Sequence, residues 1–387
     1  MSGVNEIPNN WVATTLGDSI SIFSGKTRPK SEGNYPVYGG NGIHSYGNKY
    51  NYENETIIIG RVGAYCGNVF KEENKFWLSD NALGIKPNEN SDFKYLFYKL
   101  KDMKLNNVSI GAAQPLLTQS LLKELEIITP KNIAEQKAIA NILTAFDDKI
   151  ENLQAQNKSL ETTAQTIFKE WFGKYQIGDE LPDNWKILSI EELVDIIIDY
   201  RGKTPKKLGM DWSESGIPAL SAKTIKKGKI VRRDAMNFGD EALYDLWMKD
   251  ELQKGDILLT SEAPLGEMYY INDDKKYILS QRLFALRVNE NITSQYLYHY
   301  LFSRYGQHLL QARASGSTVE GIRQSELRKI EVIIPDSDSL EKASSLFQNI
   351  FDKKHNNSKQ IQSLKETRNE LLPKLMSGEI RIKEFIK

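Results

Sequence analysis

The sequence of 387 residues lacks several features that whole classes of protein require. It has a single cysteine, Cys66, so no disulfide can form within the chain, and a reducing cytoplasm is the predicted location. Cys66 itself is expected to be a small buried side chain. The four histidines are scattered and lack the spacing of metal ligands, which predicts no metal site. No stretch approaches the roughly 18 apolar residues of a membrane span, so no membrane association is predicted.

An excess of charge of one sign is also missing, because 51 lysines and arginines balance 51 aspartates and glutamates. This balance argues against a non-specific nucleic-acid binder, which would be strongly basic. The charge is unevenly distributed, however, and basic residues cluster at 26–30, 201–207 and 223–233. These clusters predict local basic faces on a neutral protein.

Motifs that would carry chemistry are absent from the sequence as well. The glycine-rich loop from Gly60 to Gly67 has neither the GxxxxGK[ST] nor the GxGxxG pattern of a nucleotide site. We find no Asn/Asp-Pro-Pro-aromatic motif of a methyltransferase, no paired carboxylates, no nucleophile elbow and no Ser/His/Asp arrangement. The chain is therefore predicted to be non-catalytic and to hold no cofactor.

What the sequence does contain is an internal duplication. Six segments recur in the same order in the two halves, which predicts two similar units in tandem. Among the matched segments are the Pro-x-x-Trp openings at Trp11 and Trp185, the triplets Gly25-Lys26-Thr27 and Gly202-Lys203-Thr204, and the stretches from Gly111 to Pro130 and from Gly316 to Pro335.

Within each unit, the residue pattern predicts a mixed α/β domain with many loops. The β-branched runs at 57–59 and 126–128 indicate short strands, whereas 92–104 and 294–311 have the pattern of helices. The predicted domains are a first globular unit at 1–131, a spacer helix at 132–174, a second globular unit at 175–335, and a second spacer helix with its tail at 336–387.

Each globular unit is followed by a long run of apolar residues spaced alternately by three and four, as in a coiled coil. The first run extends from Gln136 to Trp171, and the second from Leu340 to Leu375. The polar residues Asn157 and Asn357 occupy seam positions, where such residues fix the register of the helices. Pro373 is expected to kink or end the second helix.

Two single long helices at the ends of similar units are expected to pack against each other as an antiparallel pair with pseudo-two-fold symmetry. A helix of roughly 40 residues is about 60 Å long, longer than one turn of DNA at about 34 Å. The sequence therefore predicts an α+β protein in which the helical pair sets the distance between two reading units.

Loops that mix lysine or arginine with glycine, serine, threonine and tyrosine are the candidates for reading DNA. Arginine can bind guanine through two hydrogen bonds, asparagine and glutamine can bind adenine in the same way, and lysine suits phosphates. Loops 30–56 and 205–256 differ between the halves, so the two DNA half-sites are expected to differ. The predicted DNA-binding residues are Lys26, Thr27, Arg28, Lys30, His44, Lys49, Arg61, Tyr65, Arg201, Lys203, Thr204, Lys206, Lys223, Lys226, Lys227, Ser261, Gln281 and Arg282.

These features together resemble the specificity subunit of a type I restriction-modification system over essentially the whole chain. The resemblance rests on the Pro-x-x-Trp openings, the Gly-Lys-Thr loops, the Gln119-Ser120 and Gln324-Ser325 pairs before each long helix, and the helix endings at 167–172 and 371–380. It implies two target recognition domains, each reading one half of a bipartite, asymmetric DNA sequence, separated by an antiparallel helical spacer.

The resemblance also implies partners and cofactors outside this chain. Two copies of a modification subunit would bind S-adenosylmethionine and methylate adenine, and restriction subunits would use ATP and Mg²⁺ to translocate and cut double-stranded DNA. Two other interpretations stay open at this point. The chain could be a stand-alone nuclease or methyltransferase with an unfamiliar site, or a non-DNA scaffold whose coiled coil binds proteins.

Overall fold

The structure, a computed structural model, describes residues 7–109, 115–316 and 319–385. Gly111, where one of the matched repeat segments begins, lies outside these residues. The chain divides into two units by its internal contacts. Unit 1 comprises residues 1–152 and 360–387, and unit 2 comprises residues 153–359.

Unit 1 contains three antiparallel or mixed sheets. A four-stranded antiparallel sheet has the order β2-β8-β5-β6, a three-stranded sheet has the order β4-β3-β7, and β1 pairs with β9. The strands are β1 (Trp11–Thr15), β2 (Ile20–Ser24), β3 (Glu32–Gly39), β4 (Gly42–Gly47), β5 (Thr56–Gly60), β6 (Val69–Glu72), β7 (Trp77–Leu78), β8 (Ala82–Pro87) and β9 (Glu126–Pro130). The helices are α1 (Phe93–Asp102), α2 (Gln119–Glu124) and the long α3 (Ile133–Phe172), which continues into unit 2.

Unit 2 repeats this plan with a larger set of loops. Its four-stranded sheet β11-β19-β16-β17 and three-stranded sheet β15-β12-β18 follow the same order, β10 pairs with β20, and the hairpin β13-β14 is additional. The strands are β10 (Lys186–Ser189), β11 (Val194–Asp199), β12 (Ile217–Leu220), β13 (Ile225–Lys226), β14 (Lys229–Ile230), β15 (Asn237–Gly239), β16 (Ile257–Thr260), β17 (Met268–Tyr270), β18 (Ile278–Leu279), β19 (Leu283–Val288) and β20 (Glu331–Ile334). The helices are α4 (Ile190–Leu193), α5 (Glu241–Trp247), α6 (Ser294–Phe302), α7 (Arg304–Ala312), α8 (Gln324–Leu327) and the long α9 (Ser337–Ser377).

The two four-stranded sheets form for the same reason. Their central strands, β5 and β16, consist of apolar or β-branched residues that are buried on both faces. The helix that follows each sheet starts at an equivalent N-cap, because Asp92 accepts the backbone N–H of Tyr95 and Thr293 accepts that of Tyr296. The duplicated, mixed α/β organisation predicted from the sequence is confirmed.

One predicted helix proved to be two. The pattern at 294–311 indicates a single helix, but the structure ends α6 at Phe302 and starts α7 at Arg304. Ser303 has an extended backbone, and its hydroxyl accepts the N–H of Gly306 at 3.0 Å. A side-chain cap of this kind begins a new helix, which the apolar period alone does not reveal.

The two long helices, of 40 and 41 residues, run antiparallel within each unit. In unit 1, Glu135 of α3 pairs with Arg381 just beyond α9, and Asp147 pairs with Arg368. In unit 2, Asn357 donates to Asn157 at 2.9 Å, and Lys354 lies 3.5 Å from Glu161. Both asparagines are buried, at 4% and 0% exposure, so the predicted polar pair does lie in the seam.

The ends of the long helices depart from the predicted pattern. Trp171 is 46% exposed, and Phe172 is buried instead, with its ring 5.0 Å from that of Tyr296. The α-helical period of 3.6 residues drifts against a seven-residue repeat, which shifts the buried face by one residue at the end. Pro373 does not end α9, which continues to Ser377 because Leu375 and Met376 are buried in the core of unit 1.

A histidine is buried in the core of unit 2. His299, on α6, is 6% exposed and lies between aromatic side chains, with its ring 4.1 Å from that of Phe347. Its Nε2 atom has no hydrogen-bond partner among the described residues. Burial, reinforced by the charge of Lys354, lowers the pKa of His299 to about 3.

We expect unit 2 to lose stability as the pH falls below about 6.5, the pKa of histidine in an unfolded chain. Between about pH 6.5 and the folded-state pKa of about 3, His299 is protonated in the unfolded chain but neutral in the folded one. Each unit by which the pH falls in this range therefore lowers the free energy of unfolding by about 1.4 kcal/mol. Wild type should therefore be about 2 kcal/mol less stable at pH 5 than at pH 6.5 through this residue. Urea unfolding at both pH values should show that His299→Phe removes this difference; an equal loss in the variant would contradict it.

Candidate nucleic-acid interface

In unit 1, several loops surround one cleft of about 460 Å³. Its walls come from the turn between β3 and β4 and from the loops that follow β2, β5 and β7. We call it the unit 1 cleft. The lining residues are Arg28, Gly39, Gly40, Asn41, Gly42, Ile43, His44, Val62, Tyr65 and Asn81.

Two glycines hold the loops of this cleft together by close backbone contact. A Cβ atom on Gly60, at the end of β5, would lie 2.5 Å from the carbonyl oxygen of Gly40 in the β3–β4 turn. A Cβ atom on Gly25 would lie 1.9 Å from the carbonyl oxygen of Ser79. Both distances are too short for any larger residue, so the glycine of the first Gly-Lys-Thr triplet has a structural role.

Three predicted residues of unit 1 lie together in this cleft: Arg28, His44 and Tyr65, whose ring is 51% exposed. Arg61 is adjacent and half-buried, and its Nε atom is buried without a hydrogen-bond partner among the described residues. The remaining predicted residues of unit 1 are exposed but lie outside the lining of the cleft. They are Lys26, Thr27, Lys30 and Lys49.

Two lining residues with polar side chains were missed by the sequence prediction, Asn41 and Asn81. Asn81 follows the matched segment Trp77-Leu78-Ser79 in the same way that the predicted Arg282 follows Ile278-Leu279-Ser280. Extending that match by two residues would have identified Asn81. Nothing in the sequence singles out Asn41 in the same way.

In unit 2, three of the predicted lysines lie on the additional hairpin or just before it. Strands β13 and β14 are joined by a turn at Lys227 and Gly228, and the carboxylate of Glu267 accepts the N–H of Lys227. The predicted lysines Lys223, Lys226 and Lys227 are all exposed, as is Lys206 in the preceding loop. Unit 2 therefore presents a cationic hairpin that has no counterpart among the described residues of unit 1.

The second Gly-Lys-Thr triplet differs from the first in its contacts. The ammonium group of Lys203 donates to the carbonyl oxygen of Trp247 at 2.6 Å, and burial lowers its pKa. The hydroxyl of Thr204 caps the short helix that follows by accepting the N–H of Lys207. These two side chains serve the fold of unit 2 in this structure.

Strand pairing explains why the two triplets are not equivalent. Ser24 lies opposite Leu83 in unit 1, and Asp199 lies opposite the equivalent Phe284 in unit 2. This register aligns Lys26 with Arg201, two residues before Lys203. Arg201 is itself held by Asp199, at 2.7 Å, and its guanidinium lies 4.2 Å from the centre of the Phe284 ring.

The last three predicted residues of unit 2 differ in accessibility. Ser261 is 1% exposed, so the prediction that it contacts DNA directly is wrong for this conformation, because a buried hydroxyl cannot reach a duplex. Gln281 is exposed. Arg282 is also exposed and forms an ion pair with Glu262 at 2.9 Å.

The side chains on these surfaces are suited to binding nucleic acid. Guanidinium, carboxamide, imidazole and phenol groups can bind base edges, and exposed ammonium groups can bind phosphates. In the described part of the chain, no three His, Cys, Asp or Glu side chains come together as metal ligands would. Over the same residues, none of the helices is both long and apolar enough to cross a membrane.

Comparison with known proteins relates the whole chain to one family. Residues 8–162 and 182–366 match the family model of the type I restriction modification DNA specificity domain. The specificity subunit of the type I restriction enzyme MjaIX from Methanocaldococcus jannaschii is 31% identical over 310 residues, which cover 76% of this chain and 70% of that protein. The MjaVIII specificity subunit from the same organism is 27% identical over 415 residues, covering 98% and 95%.

A solved structure has the same fold. It is the crystal structure of the S subunit of a type I restriction-modification system from M. genitalium, which matches with a TM-score of 0.63 at 20% identity. The match covers 97% of this chain and 98% of that one.

Proposed function

Because this chain belongs to the type I restriction-modification DNA specificity family, we propose that it directs a restriction-modification complex to a bipartite, asymmetric DNA sequence. Each unit reads one half of that sequence. The chain determines where the complex binds on DNA and catalyses no reaction itself. Methylation and cleavage then share one specificity, because both follow from where this subunit binds.

The observation that carries the proposal is the contrast between a repeated scaffold and unlike loops. The four-stranded sheets of the two units have the same strand order, yet unit 1 carries a cleft with Arg28 and His44, and unit 2 carries the cationic hairpin β13–β14. Repeated architecture with different polar surfaces suits two different half-sites of one target.

Genome-wide methylation mapping in the host tests this proposal. We expect one bipartite motif, with two unlike halves around a gap of fixed length, to lose its methylation when this gene is deleted and regain it on complementation. The finding that no motif depends on the gene would exclude the proposed function.

We further propose that two copies of a modification subunit bind this chain, use S-adenosylmethionine and methylate adenine, and that restriction subunits join with ATP and Mg²⁺. The family relationship supports assembly with other subunits, and the duplication supports a pair of equivalent docking surfaces. Co-purification with quantitative mass measurement would give the stoichiometry; a single modification subunit per chain would refute the pairing.

The substitution Lys26→Ala should weaken DNA binding and reduce its salt dependence. Lys26 is exposed, and a lysine that neutralises one phosphate contributes about 0.9 to the slope of log K against log salt. Affinities at several salt concentrations should show that change for specific and unrelated duplexes alike. Lys137→Ala, an exposed lysine on α3, is the matched control and should leave the slope unaltered.

Lys203→Ala is expected to behave differently from Lys26→Ala. Its ammonium group bonds the carbonyl oxygen of Trp247, so its loss should lower the stability of unit 2 as well as any affinity for DNA. If both variants keep the affinity and the salt slope of wild type, neither triplet contacts the phosphate backbone.

A further inference from the structure

One position of the repeat is equivalent in the two units by its place before a strand, and it carries different side chains. In unit 1 it is Asn81, directly before β8, and in unit 2 it is Arg282, directly before β19. The N–H of Arg61 donates to the carbonyl oxygen of Asn81 at 3.0 Å, and the N–H of Ser261 donates to that of Arg282 at 2.9 Å. The same backbone bond therefore fixes both residues.

We propose that this position reads one base in each half-site, adenine through Asn81 and guanine through Arg282. The inference rests on the proposed function. It adds the two residues that distinguish the DNA half-sites and the base that each residue binds. Asparagine can pair with N6 and N7 of adenine, and arginine with O6 and N7 of guanine.

The side chain of Asn81 is available for such a contact. It lines the unit 1 cleft beside Arg28 and Tyr65. Its carboxamide has no hydrogen-bond partner among the described residues, although its backbone N–H is bonded to Ser79. One donor and one acceptor are therefore free in a cleft whose lining includes three glycines, Gly39, Gly40 and Gly42, where a base edge can approach the backbone closely.

Arg282 is available in a different way. Its Nε atom lies 2.9 Å from a carboxylate oxygen of Glu262 in an ion pair, while the structure records no partner for Nη1 or Nη2 among the described residues. The carboxylate thus orients the guanidinium and leaves two parallel donors for the two acceptors of guanine. Arg282 also has a φ of 64°, the left-handed region that non-glycine residues rarely adopt, and such strain gathers at functional positions.

The residue that orients the arginine occurs only where the arginine occurs. In unit 2, the backbone of Glu262 forms an antiparallel β-bridge with that of Gly321. The equivalent β-bridge in unit 1 pairs Val62 with Leu116. Val62 lines the same cleft as Asn81 and cannot accept a hydrogen bond from it through its side chain. Both members of the pair therefore change between the units, from Asn81 with Val62 to Arg282 with Glu262. This is expected if each pair recognises a different base.

Base-analogue scanning tests the proposal on the full chain in complex with its modification subunits. The probes are duplexes of the mapped target in which single purines are replaced by 7-deazaadenine or 7-deazaguanine, which lack N7. Wild type should lose roughly ten-fold in affinity at one adenine of the first half-site and at one guanine of the second. Asn81→Ala should abolish only the adenine effect, and Arg282→Ala only the guanine effect.

Three further variants sharpen the result. Glu262→Gln should reduce the guanine effect while leaving the adenine effect and the salt slope unaltered, as expected of a positioning residue. The controls Asn48→Ala and Arg232→Ala remove exposed residues of the same types and should keep both effects. If Asn81→Ala and Arg282→Ala also keep both effects, the inference is wrong although the proposed function stands. If wild type has no sequence preference at all, the proposed function itself fails.

Discussion

Removing one heptad from each long helix should shift the gap between half-sites that the protein accepts by about three base pairs. Seven residues span about 10 Å of helix, and a DNA turn of about 34 Å contains roughly ten base pairs. Deleting residues 150–156 of α3 together with 358–364 of α9 keeps the seam pattern and leaves the Asp147–Arg368 and Asn157–Asn357 pairs intact. Affinity for the original target should fall to the non-specific level, a loss of about a thousand-fold or more.

Binding selection from a library of duplexes with variable gaps measures this effect directly. The control is the double variant Lys137→Ala with Glu370→Ala, which changes one exposed residue on each long helix without changing the helix length or the seam. It should keep the original gap. A shortened protein that still selects the wild-type gap would show that the helices do not set the spacing.

The substitution Glu135→Leu should destabilise unit 1 by about 3–5 kcal/mol, the cost of removing one partner of a buried ion pair. Glu135 is 1% exposed and accepts three hydrogen bonds, from Nε and Nη2 of Arg381 and from the indole N–H of Trp11. Its loss would leave the guanidinium of Arg381, whose side chain is 11% exposed, without its carboxylate. Denaturant unfolding, with hydrogen exchange to locate the change, should detect the loss in unit 1.

Two comparisons separate this effect from general damage. Adding Arg381→Met to Glu135→Leu should recover most of the stability, because an apolar pair can replace a buried ion pair. Glu370→Ala removes a surface pair with Lys374, at 3.0 Å, and should cost less than about 1 kcal/mol. A loss as small for Glu135→Leu as for Glu370→Ala, or one located in unit 2, would contradict the structural argument.

The periodic and repeated features of this protein could be predicted from sequence. The long helices and the buried pair of Asn157 and Asn357 follow from the heptad spacing, and the paired sheets follow from the duplication. The spacing of apolar residues is a local property, and it is preserved wherever a helix buries one face. For this reason the prediction failed only at the ends, as at Trp171.

The candidate site was less predictable, because it depends on contacts between distant residues. Matching the two Gly-Lys-Thr triplets overlooked a two-residue shift in register after β11, and the partner of Lys203 lies on α5, within the stretch 205–256 that has no similar sequence in the first half. The burial of Ser261 likewise depends on residues far along the chain, since its carbonyl oxygen accepts the N–H of Ile322. Residue type and local sequence pattern do not indicate which distant residues become contact partners in the fold.

The division of the chain into units has a consequence for synthesis on the ribosome. Unit 2 is one continuous stretch, 153–359, whereas unit 1 needs residues 1–152 and also 360–387. During translation, residues 1–152 must therefore wait for the segment after residue 359, and unit 2 has all its residues before unit 1 does. Until residues 375–381 are made, the core of unit 1 lacks Leu375 and Met376, and Glu135 lacks Arg381, so a stop codon before residue 375 would leave unit 1 without them.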